Sequence, residues 1–141
     1  MDAQLAQFTL AGDIDAAQGQ VAAALQAEGF GVLTQVDVQQ TLRAKLGLAW
    51  PGHRILGVCN PHLAHRALQA NPLVGLLLPC NIALERVADG VQVTIADPQA
   101  LLAVGGLLED PAIAQVAQEA RARLRRVAQA LTQPQAEEVV A

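Results

Sequence analysis

Asn60-Pro61, Asp97-Pro98 and Asp110-Pro111 each set a helix-capping side chain directly before a proline. The Asn or Asp oxygen can accept one of the unpaired amides at a helix start. The proline sits at the first helical position, where its missing N–H costs nothing. Three helix starts are therefore predicted, and the segments between them must be short. His53–Cys59 (HRILGVC) precedes the first start and suits a buried strand. Before the second, Ala88-Asp89-Gly90 signals a hairpin joining a strand over Cys80–Val87 to one over Val91–Ala96. Before the third, Gly105-Gly106 breaks a short helix that opens at Pro98.

The first half of the chain follows the same logic. Gln4–Leu10 alternates as an edge strand does. Asp13 caps a helix carrying Ile14, Ala17, Val21, Ala24 and Leu25 on one stripe, and Gly29 ends it. Phe30–Val36 is rich in β-formers. Asp37 with Gln40 forms a capping box for a helix that Gly47 stops, and Trp50-Pro51-Gly52 turns the chain. The order β-α-β-α-β-α-β-β-α-α predicts an α/β (α+β) two-layer sandwich with one mixed, partly antiparallel sheet of about five strands. Residues 1–132 form a single domain, followed by a flexible tail over 133–141. On the last helix Ile113, Ala117, Ala120, Leu124, Val127 and Leu131 form a stripe that could cross the sheet or meet a partner's copy.

Composition narrows the function. The chain is 52% hydrophobic and 16% charged, the profile of a folded domain, and 28 of its residues are alanine. A net charge of −4 and two aromatic Phe with one Trp leave neither a basic footprint nor a stacking platform for nucleic acid. The apolar run Leu73–Leu84 is interrupted by Gly75, Pro79 and Asn81, so no membrane span is expected. With no signal-peptide pattern, a cytoplasmic protein with reduced thiols is expected.

Residues able to do chemistry gather in Ile55–Asn81. Cys59, His62 and His65 are spaced three apart at a helix start, where amides and the helix dipole favour a thiolate. A metal site from Cys59, His65 and Cys80 is one reading. Against it stands the plainer one, that both cysteines are small buried hydrophobes and His62 is solvated. A thiol pair is another reading, requiring Cys59 and Cys80, 21 residues apart, to meet at neighbouring strand ends. Asn60 is explained by its cap alone, whereas Asn81 opens an apolar strand and needs hydrogen-bond partners. Arg121, Arg123, Arg125 and Arg126 make a basic patch that is either a solvated face or an anion site. The chain has no serine, which removes a serine nucleophile, and its carboxylates are scattered.

These motifs resemble a known family. Gly29–Thr34, Val36-Asp37, Thr41-Leu42, Lys45–Gly47, Arg54–Pro61, Leu63–Leu68, Gly75–Asn81 and Asp97-Pro98 are similar, in the same order, to the bacterial and archaeal domain of unknown function 302. The resemblance covers about residues 13–131, and its Cys-Asn-Pro and Leu-Pro-Cys-Asn segments are specific. It implies a small α/β protein that pairs as a homodimer, has no agreed activity, and sits in some cases near sulfur or redox proteins. It also implies a shared centre of Cys59, Asn60, His65, Cys80 and Asn81. His62 falls where the family places a proline or apolar residue, which counts against Cys59-His62-His65 as a ligand set. His53 stands where an aromatic is common.

Three functions stay open on this basis. The first is a homodimeric module binding a small ligand or metal in a cleft lined by Cys59, Asn60, His65, Cys80 and Asn81. The second is a thiol redox or sulfur-transfer enzyme with Cys59 as nucleophile. The third is an interaction module whose motif residues only lock the fold.

Overall fold

The computed structural model describes residues 2–133. Five strands and five α-helices occur in the expected order. They are β1 (Gln4–Leu10), α1 (Ile14–Ala27), β2 (Gly31–Asp37), α2 (Val38–Leu46), β3 (His53–Cys59), α3 (Pro61–Ala70), β4 (Cys80–Val87), β5 (Gly90–Ala96), α4 (Pro98–Leu102) and α5 (Pro111–Thr132). Two 3-10 segments, Pro72–Leu76 and Val104–Glu109, fill the connections. The tail expected over 133–141 lies, Gln133 apart, outside the described residues.

Local chemistry sets the boundaries. Asp13, Asp37, Asn60, Asp97 and Asp110 each accept a backbone amide at a helix start. Asn71-Pro72, expected only to end α3, is a further device of this kind: Asn71 Oδ1 takes the Leu73 amide and starts a 3-10 turn. Gly105 and Gly106 both adopt left-handed φ, which breaks the chain between α4 and α5 at little steric cost.

The sheet order is β1-β5-β4-β3-β2, and all four neighbouring pairs are antiparallel. The sequence suggests a mixed sheet because helices separate most of the strands. Here α2 and α3 return the chain beside the strand it has just left, while α1 carries it from one sheet edge to the other. Neither route produces a parallel neighbour.

The core lies on one side of the sheet. Leu56 and Val58, Ile82 and Leu84, and Val91, Val93 and Ile95 pack against Val21 and Leu25 of α1 and against Ile113, Leu124 and Val127 of α5. Burial of each such side chain is worth about 1.5–3 kcal/mol. The α5 stripe is therefore consumed inside its own protomer and offers nothing to a partner. By contrast, α2 has no buried residue. The opposite sheet face carries the alternate residues, among them Thr34, Ile55, Gly57, Asn81, Ala83 and Thr94.

Candidate functional site

The Cys-Asn-Pro and Leu-Pro-Cys-Asn segments meet where β3 ends and β4 begins. Register places Val58 opposite Cys80 and Gly57 opposite Asn81. Successive strand residues point to opposite faces. Cys80 thus shares the core face with Val58 and packs against the core, whereas Asn81 falls on the other face with Gly57. Cys59, two residues past Gly57, also belongs to that other face by alternation. It stands half-buried at the rim, part of it in the wall of the cavity described next.

That cavity lies between the strand ends, α3 and α5. Its volume is about 30 Å³, room for a water molecule and little more. Val58, Leu63, Ala67 and Val116 make its wall apolar, with Cys59, Asn60 and Cys80 as its only sulfur or polar residues. Three of the five predicted centre residues therefore come together here. His65 does not: it is exposed on α3 and absent from the wall. Asn81 lines a separate hollow on the other sheet face. Among the described residues no three His, Cys, Asp or Glu side chains lie close enough to hold a metal ion, so Cys59, His65 and Cys80 do not form the ligand set considered above. His62 is likewise exposed, and His53 accepts a hydrogen bond at Nδ1 from Trp50 Nε1 at 3.3 Å.

Electrostatics also departs from expectation. Burial raises the Cys59 thiol pKa, so the helix start does not yield a stabilised thiolate. Burial, with a smaller contribution from the charge of Cys59, pushes Cys80 up to about 11. Both thiols are free and both line the cavity, Cys80 from the core face of β4 and Cys59 from the end of β3.

Asn60 is the best-defined polar group of the motif. It is only 6% exposed. Its Oδ1 accepts the Leu63 amide at 3.2 Å, and its Nδ2 donates to the Glu28 carbonyl at 3.3 Å. Arg123 Nη1 donates to the same Glu28 oxygen at 3.0 Å, and its Nε reaches Glu119 at 3.2 Å. One amide therefore ties the end of α1 to the start of α3, and one guanidinium ties that same end of α1 to α5. Gly29 is part of this joint, because a Cβ there would lie 2.8 Å from Asn60 Nδ2. Three of the four arginines of the basic patch are engaged in the same way: Arg121 pairs with Asp97, Arg123 with Glu119, and Arg126 with Glu28.

Sequence reasoning missed one contact set. Thr34, Gly57 and Asn81 form a row across β2, β3 and β4. The Thr34 hydroxyl and the Pro79 ring both fill the space that a side chain at residue 57 would need. A glycine within an otherwise apolar strand, Ile-Leu-Gly-Val, is the signal for such a close approach.

Comparison with known proteins agrees with this architecture. A crystal structure of an uncharacterized conserved DUF302 protein from Bacillus stearothermophilus is similar, with a TM-score of 0.74 and 31% identity over 89% of this chain and 94% of that one. No curated protein matches. Residues 6–131 match the family described as Domain of unknown function DUF302. The chain, motif segments included, belongs to the DUF302 family.

Proposed function

We propose that this domain is a homodimeric interaction module in which the Cys-Asn-Pro and Leu-Pro-Cys-Asn segments lock the fold and contact between protomers carries the function. The observation behind this reading is the state of Asn60. Its Oδ1 and its Nδ2 are both anchored to backbone, which holds the amide in place as a cap and a tie beside a cavity of only about 30 Å³. Raised thiol pKa values point away from a nucleophilic Cys59. Two unbridged thiols are in keeping with a reducing, cytoplasmic setting. The test is light scattering on the purified chain and its variants. The wild type is expected to be a dimer, and Cys59→Ala and Asn60→Ala to lower stability while leaving the oligomeric state unchanged. A monomer at 100-micromolar order would end this reading.

One observation favours a second reading, a small-ligand site. Both motif segments contribute to a single apolar wall that opens to solvent. A ligand there would contact Cys59 and Cys80 as soft groups, with His65 and Asn81 at a distance. Elemental analysis of untagged protein with a free-thiol count tests it: a stoichiometric metal, or a thiol blocked by a bound group, would favour the ligand site over the lock.

A further inference from the structure

Among the described residues, the sheet has one face packed against helices and one face without a helical layer. On the bare face lie His53, Ile55, Ala83, Glu85, Gln92 and Thr94, half-buried by their neighbours alone. Glu85 is the one carboxylate among them. A face so poor in charge can meet a copy of itself without like-charge repulsion. Five strands about 4.8 Å apart and about seven residues long present roughly 550 Å². Two such faces in contact bury about 1,100 Å², enough for a specific interface before any flanking surface is added.

The face is also self-complementary in shape. At one corner, where β2 ends and β3 begins, apolar groups stand exposed: Val36 at 48%, Leu46 at 65%, Leu48 at 47% and Trp50 at 45%. Trp50 is tied to the bare face through its hydrogen bond to His53. This is the segment of α2, the helix with no buried residue. At the diagonally opposite corner, where β4 begins and β1 starts, Asn81, Ala83, Thr94 and Ala96, with Asp2, Ala3 and Gln4 at the chain start, line a hollow of about 440 Å³ that holds one carboxylate, Asp2. A two-fold axis lying in the plane of the face, perpendicular to that diagonal, brings each apolar corner over the partner's hollow. Both contacts form at once, as an isologous interface requires.

We infer that a second copy of this chain docks on the bare sheet face, with the Val36–Trp50 corner of each protomer seated in the Asn81–Ala83–Thr94 hollow of the other. This rests on the homodimer reading above and specifies its surface. It also gives α2 a burial partner, which a nine-residue helix needs for stability, and it turns Asn81 toward the partner.

Two charge variants and their mixture test the inference, with folding checked by circular dichroism. Trp50→Lys and Ala83→Glu should each weaken self-association at least about 100-fold, because each buries an unpaired charge at a reciprocal contact. Mixed in equal amounts, they should form a heterodimer within about tenfold of the wild-type affinity, since one contact then pairs Lys with Glu and the other is native. Leu76→Asp, on an exposed residue remote from this face, should stay dimeric. A monomeric wild type overturns the homodimer reading itself. A dimeric wild type whose folded Ala83→Glu and Trp50→Lys variants remain dimeric, or dissociation by Leu76→Asp instead, overturns the assigned face and leaves the homodimer standing. Monomeric variants that fail to associate when mixed overturn the corner-to-hollow register.

Discussion

Replacing Asn60 by alanine separates a structural lock from a ligand-presenting amide. The side chain is 6% exposed and makes two hydrogen bonds, to Leu63 N and from Nδ2 to Glu28 O. Loss of a helix cap costs about 0.5–2 kcal/mol. Leu63 is itself buried, so water replaces the cap poorly and the upper part of that range applies. Loss of the bond to Glu28 adds about 0.5–1 kcal/mol. It adds no more, because the Glu28 oxygen keeps Arg123 and is not orphaned. The sum is about 2.5–3 kcal/mol, or roughly 8–11 °C in Tm for a domain of this size. Urea unfolding followed by circular dichroism should show this as a lower midpoint with an unchanged m-value. Asn60→Ser keeps a capping oxygen and loses only the Glu28 bond, so it should cost about 1 kcal/mol. An Asn60→Ala protein within about 0.5 kcal/mol of wild type would refute the reasoning, because a buried amide satisfied on both sides cannot be removed so cheaply.

Three other outcomes follow from the same structure. Cys80 has its pKa raised to about 11 by burial, so above pH 9 the unfolded thiol ionises while the native one does not. Stability should be undiminished by this group below pH 9 and fall by about 2–3 kcal/mol as pH rises to 11; Cys80→Ala should flatten that decline in alkaline denaturation curves. Gly57→Ala pushes a methyl group into the Thr34 hydroxyl and against Pro79, whose Cγ lies 2.7 Å from the new Cβ. It should destabilise by about 1–3 kcal/mol, and adding Thr34→Ala should recover part of that; strictly additive costs would contradict the contact. Leu124 is fully buried in the protomer core, so Leu124→Asp should unfold the chain rather than yield folded monomers, as circular dichroism and light scattering together would reveal.

Much of the fold was legible because its signals are local. Capping by Asp13, Asp37, Asn60, Asp97 and Asp110, the glycine stops and the Asp89-Gly90 turn depend only on residues within one helical turn. Strand direction was less legible. Helices between strands suggest parallel neighbours, and only the tertiary path reveals that α2 and α3 return the chain alongside itself. The α5 stripe was visible as a stripe, but its partner was not, because periodicity states that a face is buried without stating against what. For the site, Asn60 was read correctly as a cap, yet its second bond, to Glu28 some thirty residues earlier, has no local signature. Nor has the engagement of Arg121 and Arg126 by carboxylates on other elements, whereas the Glu119–Arg123 pair, four apart on one helix, could have been read.

The split of the motif across the sheet has a simple geometric origin. Gly57-Val58-Cys59 and Pro79-Cys80-Asn81 run antiparallel with Gly57 opposite Asn81 and Val58 opposite Cys80. Alternation then assigns Gly57 and Asn81 to one face and Val58 and Cys80 to the other, while Cys59, at the strand end, joins Cys80 in the cavity wall. No rotamer choice gathers all of these groups into one recess, because their separation is a property of the backbone. A motif that straddles adjoining strand ends serves two surfaces at once. Inward, Cys80 and the capped start of α3 close the core. Outward, Thr34 and Pro79 fill the space over Gly57 and leave Asn81 at the edge of the hollow. Under the proposed reading, this division is what sealing a core and shaping the reverse side of the same sheet require, and the bare face is where its consequences should be measured.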